Sequence, residues 1–218
     1  IDVIDELKNT SSMEHNFIVS DFNDLNTLEK KFTDFINKDF KPTILINNTG
    51  GPPPGEISKA SKKDFKDYMS MHLHTSHFLS TCLLPIMKSK NFGRIVNIIS
   101  ISVKAPIDNL GVSNTVRWAM ASWAKTLSNE VAEYGITVNN ILPGFTDTER
   151  LRSLMKNRAL SSNTSTEEIT NNTISNIPAK RFGKPEEVAD ATAFLCSKAA
   201  SYINGINLPV DGGFSKSL

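Results

Sequence analysis

The feature that most constrains this chain is a strand, a helix and a second strand in unbroken succession between Arg94 and Pro143. Residues 94–100 read RIVNIIS and residues 136–143 read ITVNNILP. Such short apolar runs, rich in β-branched residues, mark strands buried on both faces. Between them Val116, Met120, Trp123, Leu127 and Val131 recur at helical spacing, with Ala119 and Ala124 beside them. A strand, a crossover helix and a parallel strand close as a right-handed βαβ unit. Ser100 stands at the carboxyl end of the first strand, and Pro143-Gly144 breaks the chain at the carboxyl end of the second. Open parallel sheets bind ligands at those ends.

The alternation extends along the chain. Residues up to about Lys8 read as the tail of a helix, and His15–Ser20 as a short strand ending at Asp21. Asp24 can cap a helix running to about Asn37, with Leu25, Leu28, Phe32, Phe35 and Ile36 on its apolar side. Thr43–Ile46 reads as a buried strand, and the loop from Asn47 to Gly55 carries three consecutive prolines. A long helix is expected from Lys62 to Lys88, and one or two mobile helices within the polar stretch 149–176. Pro185 opens a further helix at its first position. The last strand, Ile206–Val210, runs into Asp211-Gly212-Gly213. Alternating strands and helices predict an α/β fold: one domain with a doubly wound parallel sheet between two helical layers.

Composition excludes several classes. The chain has 218 residues, with 24 basic against 23 acidic side chains and a net charge of +1. That balance gives no electrostatic case for nucleic acid or an anionic membrane. No apolar run approaches the roughly 20 residues of a spanning helix. Cys82 and Cys196 lie far apart inside helical patterns. They read as buried free thiols of a reducing, cytoplasmic compartment. No metal-ligand spacing is present. The first ten residues, IDVIDELKNT, have neither the cationic start nor the apolar core of a signal peptide.

Six motifs in order carry a resemblance over essentially the whole chain: Asp21, NNTG at 47–50, Ser100, PGFTDT at 143–148, RFGKPEEVA at 181–189 and VDGG at 210–213. Together they resemble the short-chain dehydrogenases/reductases, in their β-ketoacyl carrier-protein reductase-like branch. The resemblance implies a Rossmann-type sheet of seven parallel strands in the order 3-2-1-4-5-6-7, binding NAD or NADP. It places the family's glycine-rich turn and first βαβ unit upstream of Ile1, and a substrate lid at about 149–176. By the same likeness, Asp21 and Phe22 flank the adenine, and Asn47 and Gly50 line the adenine-ribose and pyrophosphate side. Pro143, Gly144 and Thr148 border the nicotinamide end. The choice between NAD and NADP falls after the second strand and stays open.

The catalytic positions depart from the family's pattern. Its members reduce a carbonyl with a tyrosine, a lysine four residues later, an upstream serine and an asparagine in the preceding long helix. Counted from Ser100, the tyrosine position holds Ser113, the lysine position Arg117 and the asparagine position His72. A phenol near pKa 10 and an amine near 10.4 are thereby replaced by a far weaker acid and by a cation that does not deprotonate. Arg117 can still hydrogen-bond a ribose hydroxyl or an anionic group through its fork. His72 is the best alternative acid, because imidazole titrates near neutrality. His74 and His77 read as surface or interface residues. Lys104 and Asp108 stand in the loop expected to flank a substrate.

The leading expectation is an NAD(P)-dependent oxidoreductase acting on a small-molecule carbonyl or secondary alcohol, with a sugar or polyol as the alternative to an acyl thioester. A catalytically silent dinucleotide- or partner-binding member stands against it, as does a lyase or isomerase reusing the pocket. The family pairs its two long helices across a two-fold axis. Met71, Phe78, Leu79, Trp118, Met120 and Trp123 supply apolar surface for such a homodimer or homotetramer.

Overall fold

The computed structural model describes residues 4–7, 15–36 and 40–217. Contacts divide the chain into two compact units, 1–41 and 42–218.

In the first unit residues 4–7 are helical, and the remainder of that expected helix lies outside the described residues. Helix α1 spans Leu25–Ile36. Asp24 caps it as expected: its Oδ1 accepts the Thr27 amide at 3.1 Å and its Oδ2 the Thr27 hydroxyl at 2.6 Å. The expected strand His15–Ser20 is not formed. The segment is irregular, and Phe17 and Val19 stand 56% and 73% exposed. A strand exists only by pairing, and apolar alternation without a neighbouring ladder leaves the backbone unpaired.

The second unit is a four-stranded parallel sheet in the order β1-β2-β3-β4, formed by Ile44–Asn47, Gly93–Ile98, Ile136–Pro143 and Asn207–Val210. Four strands are thus described where the resemblance implied seven. The intervening helices are α2 (Lys62–Met69), α3 (Thr75–Ser89), α4 (Gly111–Val131), α5 (Glu149–Ser162), α6 (Thr166–Ser175) and α7 (Pro185–Cys196). The long helix expected from Lys62 to Lys88 is interrupted by a π-turn at Ser70–His74. Such wide turns are frequent at functional sites. The polar stretch after Thr148 forms two helices, each capped by a hydroxyl, Thr148 on Leu151 N and Ser165 on Glu168 N.

Both faces of the sheet are covered. On one, Ile99, Ile101, Val103 and Leu142 pack against Met120 and Ala121 of α4. On the other, Val96 and Ile141 pack against Leu195 of α7 and Ala200. Met120 is therefore core at 2% exposure and not interface surface, whereas Trp118 is half exposed. Cys82 and Cys196 are free thiols but only half-buried, which corrects the expectation of full burial.

Two polar devices hold the strands in register. Asn47, Asn97, Asn140 and Asn207 are mutual cross-strand partners. Their side chains join head to tail: each Nδ2 donates to the next Oδ1, at 2.8, 2.8 and 2.7 Å. Period-2 alternation puts this row on the α4 face, alongside Ile99 and Leu142. At the opposite end of β2, Arg94 is only 2% exposed. Its guanidinium donates to the carbonyls of Gly93, Gly135 and Ser197 and to the Ser201 hydroxyl. Carbonyl acceptors on several sides make its burial tolerable without an opposite charge.

Truncating the middle of the asparagine row strands two partners at once, and each buried polar group left unmet costs about 1–3 kcal/mol. Asn97→Ala is expected to lose about 2–4 kcal/mol in urea unfolding. Asn207→Ala, which ends the row, is expected to lose less than half as much.

Candidate active site

A cleft of about 910 Å³ opens at the carboxyl ends of β1, β2 and β3. Its walls are chiefly apolar, with Ile46, Ile98, Ile101, Leu110, Leu154 and Val188 among them. A few polar groups converge in it: Ser100, Ser113, Arg117, Thr148 and Arg150. Apolar walls with few placed polar groups are the usual make-up of a small-molecule site.

Each polar group is positioned by a nearby backbone constraint. Ser100 follows the carboxyl end of β2, and its Oγ accepts the Ser102 amide at 3.0 Å, which turns the chain into the 3₁₀ segment Ile101–Val103. Its hydroxyl hydrogen is left to donate into the cleft. Ser113 and Arg117 stand one turn apart on α4, hence on one face. The start of α4 is pinned to the proline loop, since Gly55 N donates to Asn109 O at 2.8 Å and Gly111 N to Gly55 O at 3.1 Å. The other wall is the PGFTDT segment. Gly144 N donates to Val210 O, and a Cβ at Gly144 would come within 2.6 Å of the Asp211 Cβ, so only glycine fits there. Phe145 packs edge-on to Phe214, with centroids 5.1 Å apart. The RFGKPEEVA motif is structural support behind this wall. Gly183 pairs with Phe145 and Asp147, and Arg181 clasps Glu187 through both carboxylate oxygens, at 2.6 and 2.7 Å.

Of the expected cofactor residues, Gly50, Pro143, Gly144, Thr148 and Arg117 line the cleft. The space beside Gly50 is open, with no atom within 4 Å of where a Cβ would stand. That open space, in the same apolar-walled cleft as Gly144, leaves room for a dinucleotide to approach the backbone closely. Asn47 is absent from the lining; its amide is spent on the sheet row through Asn97. Asp21 and Phe22 belong to the N-terminal unit, where Asp21 Oδ1 accepts the Asn23 amide at 2.9 Å. Lys104 and Asp108 do not line the cleft. His77 accepts the Trp123 indole N–H at 3.4 Å, and His74 is exposed.

His72 lies in the π-turn, 2% exposed and outside the cleft lining. Burial, reinforced by the Arg117 charge, pushes its pKa down to about 3 against a backbone hydrogen bond to Gly50 that works the other way. It is a neutral imidazole at physiological pH. This corrects the expectation of an acid titrating near neutrality.

Arg117 is 7% exposed. Its Nη1 donates to Ile98 O at 3.0 Å, while its buried Nε has no partner. Burial, then the Arg150 charge, lowers its pKa to about 10, so it stays protonated. Arg150, near the start of α5, donates from Nη2 to Pro52 O at 2.9 Å. The Nη2 atoms of Arg150 and Arg117 approach the Cβ position of Gly51 to 2.9 and 3.2 Å. The two guanidinium nitrogens are therefore at most about 6 Å apart. Like charges at that separation repel by about 3 kcal/mol at the effective dielectric near a protein surface. Arg150 and Gly51 are not legible as site residues in the sequence. One signal was present: a cation in the first turn of a helix faces the positive end of its dipole, and needs a reason to be there.

A doubly wound parallel sheet with its cleft at the carboxyl ends is a Rossmann-type α/β architecture. The family model described as enoyl-(acyl carrier protein) reductase matches residues 2–215, and the chain belongs to this family, within the short-chain dehydrogenases/reductases. The 3-oxoacyl-(acyl-carrier-protein) reductase FabG of Haemophilus influenzae is 36% identical over 172 residues, covering 78% of this chain and 66% of that protein. Gluconate 5-dehydrogenase of Gluconobacter oxydans is 30% identical over 84% of this chain and 68% of its own length. Among solved structures, L-sorbose reductase from Gluconobacter frateurii, complexed with NADPH and L-sorbose, superposes with a TM-score of 0.91 at 26% identity, covering 100% of this chain and 83% of that one. The chain spans just under two thirds of the length of the FabG relatives first matched, 65–66%.

His72 leads to a prediction about acid stability. Its folded pKa of about 3 lies below the ordinary 6.5, so between those values the unfolded chain binds the extra proton. Its contribution is fully present above about pH 6.5 and is lost on acidification, at about 1.4 kcal/mol per pH unit across that window. Urea unfolding of His72→Asn between pH 7 and pH 4 is expected to show a visibly flatter pH dependence. An unchanged slope would refute the assignment.

Proposed function

We propose that this protein is an NAD(P)-dependent oxidoreductase interconverting a carbonyl and a secondary alcohol. The single observation that carries the reading is the convergence of Ser100, Ser113 and Arg117 with the open space at Gly50 in one apolar-walled cleft, which Gly144 also lines. The FabG and L-sorbose reductase likenesses support the reaction class. The nicotinamide, when bound, supplies or accepts the hydride.

The chain's own residues do the rest. The Ser100 hydroxyl donates to the substrate oxygen, and the Ser113 hydroxyl stands on the neighbouring helix turn as a second donor. Arg117 keeps a fixed positive charge beside them, favouring negative charge on that oxygen. With no phenol at position 113, the proton comes from water at the cleft mouth instead of a relay through position 117. Gly50, Pro143, Gly144 and Thr148 border the cofactor. Helices α5 and α6 serve as the substrate lid. The protein works in the cytoplasm as a homodimer or homotetramer. The half-exposed Trp118 and partly buried Trp123 favour that association, and no described helix is long and apolar enough to cross a membrane.

Fluorescence titration with NADPH and NADH is expected to give micromolar binding of at least one. Binding of neither would turn the reading to a cofactor-free role. Ser100→Ala is expected to lower kcat about 10²-fold, the usual effect of deleting one donor to a developing oxyanion. The paired change Ser113→Tyr with Arg117→Lys is expected to raise kcat and restore a pH profile governed by a phenol. Absence of any gain would show that the pocket has diverged beyond its relay.

A further inference from the structure

We propose that Arg117 and Arg150 form a carboxylate-binding site, so that the substrate taken by this cleft is an acidic one, a keto acid or hydroxy acid. This rests on the oxidoreductase reading above and narrows it to a class of substrate.

Four observations carry it. The two guanidinium groups converge on one point, the place a Cβ of residue 51 would occupy, from different helices, α4 and α5. Any side chain at residue 51 would crowd both of them. Neither has a carboxylate partner among the described residues. The nearby carboxylate of Asp147 is engaged by Arg152 at 3.0 Å, and that of Glu187 by Arg181. The charges that bear most on Arg117 and His72 are the neighbouring arginines themselves. Each guanidinium spends one N–H on a carbonyl, Ile98 O or Pro52 O, which aims the fork and leaves other N–H groups unspent. Two planar forks beside an apolar cleft match a carboxylate, which accepts two parallel hydrogen bonds from each direction it is approached. The carboxylate would relieve the repulsion between the two cations as it binds. Ser100 and Ser113 line the same cleft, so a carbonyl a few bonds from the carboxylate reaches them without leaving it.

Dinucleotide phosphate offers a rival anion, and the experiment separates the two. Levulinate and levulinamide are the same ketone with and without the charge. Calorimetric titration of the intact protein is expected to show levulinate binding at least about ten-fold tighter, the worth of one charge-assisted hydrogen-bonded contact. Arg150→Gln is expected to erase that preference and leave the dissociation constant for NADPH within about three-fold. Arg150→Lys is expected to restore part of the preference. Arg117→Gln is expected to erase it too. Because that side chain is buried, the exposed Arg150 carries the test should the Arg117 variant fail to fold. An acid preference that survives Arg150→Gln overturns the proposal, as does no preference in the unaltered protein. Loss of NADPH affinity in Arg150→Gln with the acid preference intact assigns the pair to cofactor phosphate and overturns it equally. A carboxylate preference without binding of NADPH or NADH refutes the oxidoreductase reading while the anion site stands.

Discussion

The row of four asparagine amides crossing the sheet is the interaction on which the rest of the structure depends. A parallel sheet built from runs such as RIVNII and ITVNNILP has apolar residues on both faces, so burial alone discriminates weakly between neighbouring registers. The amides do discriminate. A slip of one residue in any strand pair would bury unmatched donors and acceptors at Asn97 and Asn140, which are 0% and 3% exposed. With the strands locked level, their carboxyl ends are level too. That places Ser100, Pro143 and the start of the loop after Asn47 around one opening.

Electrostatics then gives the opening its character. The cleft is walled by isoleucine, leucine and valine, and its charged members are both arginines. Replacing a lysine-type position by Arg117 removes a group able to exchange its proton and installs a permanent charge with a directional fork. Burial lowers that charge's pKa without neutralising it. Burial keeps His72 neutral, and the same field reinforces it. Ordinary relay chemistry and anion recognition make opposite demands on this position.

Much of the architecture was legible in sequence because it rests on local periodicity. The helical stripe from Val116 to Val131 falls within the helix Gly111–Val131, and the apolar run 94–100 carries the strand Gly93–Ile98. Caps and breakers such as Asp24, Pro185 and Gly144 act over a few residues, so their effects are visible in the string. What was missed depends on distant partners. His15–Ser20 has a strand's composition but no described ladder. Asn47 has a motif position that suggests a ligand, yet its amide is committed to Asn97, fifty residues away. Met120 sits in a helical stripe that reads equally as core or interface until the sheet beneath it is known. The Arg117–Arg150 convergence needs the crossover geometry of two βαβ units, and no spacing rule reports it.

The asparagine row also has a sense. All three of its side-chain bonds run the same way, from the amide nitrogen of the strand nearer β1 to the oxygen of the strand nearer β4. The row is thus a wire of aligned dipoles, with an oxygen at its Asn47 terminus and an NH₂ group at its Asn207 terminus. Turning one amide over would set oxygen against oxygen on one side and nitrogen against nitrogen on the other, so reversal requires all four to turn together. Any residue laid beside Asn47 at the β1 edge must therefore offer a hydrogen to that oxygen. Through this parity, the row distinguishes a donor from an acceptor at its Asn47 terminus.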